Sequence, residues 1–174
     1  IDKLLFLGSS YGFRANLLNF LAQNSVPISI TQSSITNKKA KINNKNLSLN
    51  SVLNTLSNFN DVIQRKIFLS KILSLLKSNK ELLKHGLVDL IPPPDFCNVS
   101  DYYSNYLLSL NITELRNTGL LSKPVHKLHL RTFEICMSGG AQITKKNNEL
   151  ENYFIQDKEI IFYDDFSTDD SFKK

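Results

Sequence analysis

The sequence predicts an α/β domain built on a mainly parallel sheet, because patterns typical of strands and of helices alternate along most of the chain. "KLLFLGSS" at 3–10 is a short apolar run that ends in glycine and serine, as a buried parallel strand does where it meets its loop. "RANLLNFLAQNS" then carries leucines at helical spacing, and "VPISI" at 26–30 has the pattern of a second strand. Together these segments predict a strand-loop-helix-strand unit, the unit that builds parallel sheets.

The rest of the chain continues this alternation after a polar excursion over residues 31–60. Apolar residues recur at helical spacing from 61 to 86, and "LVDLI" is a possible strand stopped by three prolines. We expect a short helix and a strand within "SDYYSNYLLSLNI", and a helix over "KPVHKLHLRTFEICMSGG" that ends at two glycines. A strand in "AQIT", a short helix in "ELENYF" and a last strand in "KEIIFY" complete the prediction.

Length and composition indicate a single domain. A chain of 174 residues is long enough for one domain with a real core, and the absence of any apolar run near about 18 residues predicts no membrane span. Cys97 and Cys136 are far apart and poor in nearby histidine, so we expect two small buried side chains, no metal site, and a reducing, cytoplasmic location. Because the chain opens with Ile1, we expect it to be a piece of a longer protein.

The net charge of +5 indicates anionic partners in general. It comes from 21 basic and 16 acidic residues, and lysine carries most of it. We expect no nucleic-acid partner, because the chain has no recognition-helix signature and no basic run interleaved with aromatic residues. The alternative is binding to nucleic acid through the lysines.

The binding residues are expected where strands end, since ligands of open α/β sheets bind beyond the carboxyl ends of the strands. The loops after Leu7 and Ile112 and the start of the helix that contains Glu134 should therefore converge. "GSSYGFR" offers Gly8, Ser9, Arg14 and the backbone amides of a helix N-terminus, a combination that suits a phosphate. The loop has neither the GxGxxG pattern nor a P-loop lysine, so this indication is weak by itself.

Arg131 and Glu134 stand three residues apart and share one face of the predicted helix. They can bond to each other, or the glutamate can accept hydrogen bonds from a ribose while the arginine donates to phosphate oxygens. Tyr11, Tyr102 and Tyr103 can likewise stack on a base or sugar, or pack at loop edges. The sequence leaves these alternatives open.

Two segments resemble a known family. "LRTFEICMSGGAQIT" followed by "NELENYFIQDKEIIFYDD" is similar to the C-terminal signature of the glycosyltransferase family named after the spore maturation protein CgeB, a glycosyl transferase group 1 relative. That signature has an R-x-F-E segment, a glycine-rich stop, an apolar strand, a small helix and a late tyrosine. "FLGSSYGFRANLLNFLAQNSVPISI" and "YYSNYLLSLNI" resemble the family's earlier segments, so the resemblance covers roughly residues 3–30 and 100–165.

The resemblance implies a Rossmann-like domain over residues 1–174, the C-terminal half of a GT-B glycosyltransferase whose N-terminal acceptor domain is absent. Such a domain would bind a nucleotide-diphosphate sugar as substrate, need no metal or other cofactor, and transfer the sugar to an unknown acceptor only with its partner domain. The implied donor-binding residues are Glu134 for the ribose, Arg131 and Thr132 for the diphosphate, Gly8, Ser9 and Arg14 across the crevice, and Gly139 and Gly140 for the turn into the strand.

Some positions depart from the family pattern. His126 stands where many retaining relatives have a second glutamate, and Lys145 stands where an acidic residue is usual, so the stereochemical outcome stays open. His126 and His129 become candidates for sugar or phosphate contacts. The alternative hypothesis is a non-catalytic interaction module, which a closed groove with Arg131 bonded only to Glu134 would favour.

Overall fold

Six parallel strands form the centre of the structure, a computed structural model that describes residues 1–10, 12–31, 61–77 and 86–164. In chain order the strands are β1 (Leu4–Phe6), β2 (Ile28–Thr31), β3 (Val88–Ile91), β4 (Leu108–Asn111), β5 (Gln142–Lys145) and β6 (Ile161–Tyr163). Across the sheet their order is β3-β2-β1-β4-β5-β6, and each neighbouring pair is parallel. This is a Rossmann-like α/β arrangement, so the predicted fold class is confirmed.

The helices connect these strands. They are α1 (Phe13–Gln23), α2 (Val62–Lys77), α3 (Val99–Asn105), α4 (Leu130–Met137) and α5 (Asn148–Glu151). Within the described part of the chain, none of them combines the length and the apolar character that crossing a membrane requires. Several predictions lie outside the described residues, namely those for Tyr11, for most of the 31–60 excursion and for the last part of the helical pattern from 61 to 86.

The sheet buries both of its faces. On one side, Leu4 and Phe6 of β1 pack with Leu17, Leu18 and Leu21 of α1. On the other side, Leu5 and Leu7 pack with Tyr103 of α3 and Ile135 of α4. Successive side chains of a strand point to opposite faces, and a strand covered on both faces therefore needs a continuous apolar run. The pattern at the start of the chain predicted this correctly.

The helix predicted over residues 123–140 begins later than expected. It starts at Leu130, and the residues before it form an antiparallel bridge between Glu114 and His126. Leu115 donates its backbone N–H to the Val125 carbonyl at 2.8 Å, and Lys127 donates to the Thr113 carbonyl at 2.9 Å. Because these backbone groups bond to the segment after β4, they are not available to a helix. His126 therefore lies in an extended segment, not on a helix.

Two predictions about side-chain burial are also wrong. Cys97 is exposed, and Cys136 is only half-buried. Phe133 of α4 is half-buried at the side of the helix, and its ring centroid lies 5.8 Å from those of Tyr153 and Phe154. The core residue of α4 is Ile135, which is fully buried.

Candidate functional site

Three segments meet at the carboxyl ends of β1 and β4, as the sequence predicted. Gly8, just after β1, lies so close to α4 that an added β-carbon would be 3.2 Å from Nη1 of Arg131. The backbone N–H of Phe13, at the start of α1, donates to the side-chain carbonyl of Asn117 at 3.2 Å. The loop after β1 and the N-termini of α1 and α4 therefore share one edge of the sheet. Ser9 is exposed on this loop, and Arg14 is half-buried in the first turn of α1.

The N-terminus of α1 is less open to an anion than the sequence suggests. Asn117 occupies the N–H group of Phe13, one of the four that a helix start leaves without intrahelical partners. Gly12 precedes this helix with φ of 55°, a left-handed conformation that glycine adopts without strain. Positive charge from side chains therefore has to supply much of the attraction for an anion at this edge.

A buried layer of polar side chains holds α4 on the sheet. Asn111 of β4 donates from its amide to Oγ1 of Thr132 at 3.0 Å and to Oε1 of Gln142 at 3.2 Å. Gln142 of β5 donates in turn to the Thr132 carbonyl at 3.1 Å and to Sγ of Cys136 at 3.3 Å. Asn111, Thr132 and Gln142 are all fully buried. Polar groups buried in this way fix one geometry, because moving the helix would leave them unpaired.

This layer corrects the role expected for Thr132. We expected Thr132 to face a diphosphate beside Arg131, but its hydroxyl accepts the bond from Asn111 on the sheet side of α4. The physical reason is helical geometry, since consecutive residues point about a quarter turn apart. Thr132 therefore positions the helix, and Arg131 is the neighbour that reaches the Gly8 loop.

Gly139 and Gly140 form the tight turn into β5 but lie away from the edge where Gly8 and Arg131 meet. Gly139 has φ of 74° and donates to the Cys136 carbonyl, while Gly140 donates to the Ile135 carbonyl, both at 3.0 Å. This is the Schellman pattern that ends a helix. Because an eight-residue helix is about 12 Å long, these glycines stand at the opposite end of α4. The two glycines therefore make the turn into β5 that we expected.

Arg131 and Glu134 line a cleft of about 380 Å³ between α3 and α4. The lining residues come from the end of β1, the segment before α3, and the two helices: Leu7, Pro94, Phe96, Val99, Tyr103, Arg131, Glu134, Met137 and Ser138. Within the described ranges, the ion pairs join Lys3 to Asp89 and Lys146 to Glu151, and Arg131 does not pair with Glu134. The two charged side chains therefore line the cleft without forming an ion pair with each other.

Tyr103 connects the cleft to the core. Its ring is buried with Leu5, Leu7 and Ile135, so the packing interpretation is confirmed for this tyrosine. Burial raises the pKa of its hydroxyl, the positive charge of Arg131 opposes that shift, and the negative charge of Glu134 adds to it. The hydroxyl thus lies within the electrostatic influence of both charged residues.

Phe96 is a functional candidate that the sequence did not reveal. Its side chain is 92% exposed, although it is a large apolar group, and it lines the same cleft as Glu134. Met137 is 86% exposed on the same cleft. Exposed aromatic and thioether groups beside charged ones give this cleft an apolar surface next to hydrogen-bonding groups, the mixture typical of small-molecule sites. The local pattern "PPPDFC" carries no signal for this exposure.

A second charged group, Glu114, lies in the segment after β4. Its side chain is fully buried, and neither carboxylate oxygen has a hydrogen-bond partner in the described part of the chain. Burial raises the pKa of this carboxyl, while nearby backbone N–H groups, Lys145 and Arg14 oppose the shift. No local sequence pattern marks this residue, which lies between β4 and α4.

The two candidate histidines both have a lowered pKa, and His126 lies beside this group. His126 is opposite Glu114 in the bridge, and its Nδ1 is 2.9 Å from Oγ1 of Thr113. Burial and then the charge of Lys145 lower the pKa of His126. At the N-cap of α4, burial followed by the charges of Arg14, Arg131 and Lys127 lowers the pKa of His129. Positive charge near the two histidines therefore comes from several elements, namely from Arg14, Lys127, Arg131 and Lys145.

Comparison with known families agrees with this geometry. Residues 90–174 match the family model described as glycosyl transferase-like. This part of the chain is similar to glycosyl transferases. The match covers 85 of the 174 residues and runs from the end of β3 onward, so it includes α3, α4 and most of the cleft. No curated protein and no solved structure matches the chain. The similarity to glycosyl transferases supports a general role in glycosyl transfer.

Proposed function

We propose that this chain is the donor-binding domain of a CgeB-like, GT-B type glycosyltransferase, and that the cleft between α3 and α4 holds the nucleoside diphosphate of a sugar donor. One observation carries the proposal: Arg131 and Glu134 line an open cleft at the carboxyl edge of a Rossmann-like sheet without pairing with each other. That arrangement favours donor binding over the interaction module, for which we expected a closed groove and an internal ion pair.

The nucleoside end of the donor is assigned to Glu134 and Phe96. A carboxylate accepts hydrogen bonds from both hydroxyls of a ribose. The exposed ring of Phe96 offers a flat apolar face on which a base can stack, as bases do on aromatic side chains of other proteins. Leu7 and Val99 supply further apolar surface in the same cleft. The identity of the base then depends on the polar groups that meet its edge.

The diphosphate is assigned to the contact between the β1 loop and α4. Arg131 approaches Gly8 there. Ser9 is exposed next to Gly8 in the chain, and Arg14 lies in the first turn of α1. When the bond between the sugar and the diphosphate breaks, negative charge grows on the leaving phosphate oxygen. Guanidinium groups already in place stabilise that charge more strongly in the transition state than in the bound donor.

The acceptor side is assigned to a partner domain. In a two-domain transferase the donor lies in the crevice between the domains, and the exposed Phe96 and Met137 lie beside the proposed donor cleft. The partner would supply the acceptor site and the base that removes the acceptor's proton. The isolated chain is then expected to bind nucleotide and to turn over no substrate.

Calorimetric titration tests this proposal. We expect saturable binding of one of UDP, GDP and ADP, and we expect Glu134→Ala to weaken it by about 10- to 100-fold, the worth of hydrogen bonds to a charged group. Glu149→Ala is the matched control, because Glu149 is exposed on α5 and does not line the cleft. Equal affinities in wild type and Glu134→Ala would remove the ribose assignment. Heats indistinguishable from buffer for all three nucleotides would favour the interaction module.

A further inference from the structure

Glu114 is a buried acid with an unusual environment. Its side chain has no exposed surface, and both carboxylate oxygens lack hydrogen-bond partners within the described residues. A carboxyl group in such a place is costly to ionise unless positive charge lies near it. The donor assignments leave this residue without a role, and its position immediately after β4 places it at the edge where ligands of such sheets bind.

Charged groups from separate elements act on Glu114. Arg14 approaches from α1 and Lys145 from the end of β5, and each favours the ionised carboxylate. The backbone N–H groups of Thr113 and of Glu114 itself act in the same direction, although neither has the geometry of a full hydrogen bond to the carboxylate. His126, opposite Glu114 in the bridge, adds little charge near neutral pH because its own pKa is lowered. The local charge therefore depends on whether Glu114 carries a proton.

We propose that Glu114 sets the anion affinity of the donor site through Arg14 and Lys145. This inference rests on the proposed function, because it assigns Arg14 to the edge that holds the diphosphate. With Glu114 protonated, Arg14 and Lys145 present two positive charges to an incoming anion. With Glu114 ionised, its negative charge offsets one of them. Glu114 thus acts through its neighbours: its charge changes the net positive charge that they present, and Glu114 itself does not contact the ligand.

The direction of the pH dependence follows from this arrangement. Below the folded-state pKa of Glu114 the site is more positive and binds anions more tightly, and above that pKa the affinity falls. By reciprocity, an anion that binds the protonated form draws a proton from solvent onto Glu114. Protonation of His126 and His129 also strengthens anion binding at low pH. The contribution of Glu114 is therefore the part of the pH dependence of the affinity that is lost in Glu114→Gln.

The test measures anion affinity from about pH 5 to about pH 8 in wild type and Glu114→Gln. The probes are UDP-glucose and GDP-mannose, whose diphosphates keep their charge over this range, and sodium sulfate, which contains no nucleoside. We expect the wild-type affinity to fall by about tenfold more than that of Glu114→Gln, within the usual size of coupling between sites. Glu149→Gln, an exposed control, should keep the wild-type profile.

Each outcome bears on the inference separately from the donor assignment. If sulfate shows the Glu114-dependent loss while neither nucleotide sugar binds, the coupling stands and the donor proposal fails. If nucleotide sugars bind with the same profile in wild type and Glu114→Gln, the donor proposal stands and the coupling is overturned. No anion binding at any pH overturns the coupling as well. Should Glu114→Gln fail to fold, Lys145→Gln gives a second arm, in which we expect weaker binding and a flatter profile.

Discussion

Removing the amide of Gln142 should loosen the helix that carries the proposed site. Gln142→Met keeps a side chain of similar length but deletes the acceptor for Asn111 and the donor to the Thr132 carbonyl, at 3.2 and 3.1 Å. One amide hydrogen of buried Asn111 is then left without a partner, which costs about 1–3 kcal/mol, and the lost bond to Thr132 adds about 1 kcal/mol. We therefore expect the free energy of unfolding to fall by about 2–4 kcal/mol.

Urea unfolding followed by circular dichroism measures this change. For a chain of this length the loss corresponds to a fall in Tm of roughly 4–16 °C. Gln23→Met is the matched control, because Gln23 is exposed at the end of α1, and it should stay within about 0.5 kcal/mol of wild type.

A double-mutant cycle makes the reasoning refutable. Asn111→Leu alone leaves Oε1 of Gln142 and Oγ1 of Thr132 without their donor, so it should also destabilise. Combined with Gln142→Met, both unpaired amide groups disappear, and the double variant should cost about 1–2 kcal/mol less than the sum of the single variants. Additivity within about 0.5 kcal/mol would refute the network, because independent sites add in that way.

Two further predictions concern the end of α4 and the buried acid. Gly139→Ala should lower the free energy of unfolding by about 1–2 kcal/mol, because a side chain is strained at its φ of 74°. Gly140→Ala should lower it by about 1–3 kcal/mol, because the new β-carbon would lie 2.6 Å from the Tyr103 carbonyl oxygen. A wild-type free energy of unfolding in either variant would contradict the turn. The raised pKa of Glu114 means that the folded state bears the cost of ionising it, so stability is lost as pH rises from the ordinary 4.5 through the folded pKa. Glu114→Gln should therefore be more stable than wild type by about 1–3 kcal/mol near pH 8, with a difference that shrinks towards pH 4.5; a pH-independent difference would argue against this.

The fold could be predicted from the sequence because its signals are local. The apolar run at Leu4–Phe6, the leucines of α1 and the glycines after α4 each report a strand, a helix or a turn within a few residues. The start of α4 could not be predicted in the same way. Residues 125–127 bond to residues 113–115 across an intervening turn, and no local pattern records such a pairing.

The candidate site could be predicted in part. Arg131 and Glu134 were found because their spacing on one helix face is visible in the sequence. Thr132 was misassigned because its direction depends on Asn111, twenty-one residues earlier in the chain. Phe96 and Glu114 were missed because a phenylalanine is normally buried and a glutamate normally exposed. In the structure Phe96 is exposed and Glu114 is buried. Functional sites are where such reversals are expected.

The most direct measurement places the nucleotide in the cleft. The chain contains no tryptophan, so Phe96→Trp gives a single fluorescent reporter on the cleft wall. Leu107→Trp gives a matched reporter at an exposed position just before β4, on the opposite edge of the sheet. Titration with the nucleotide that binds in calorimetry should change the fluorescence of Phe96→Trp with the same midpoint and leave that of Leu107→Trp flat. Calorimetric binding with no change at position 96 would contradict a nucleotide site between α3 and α4.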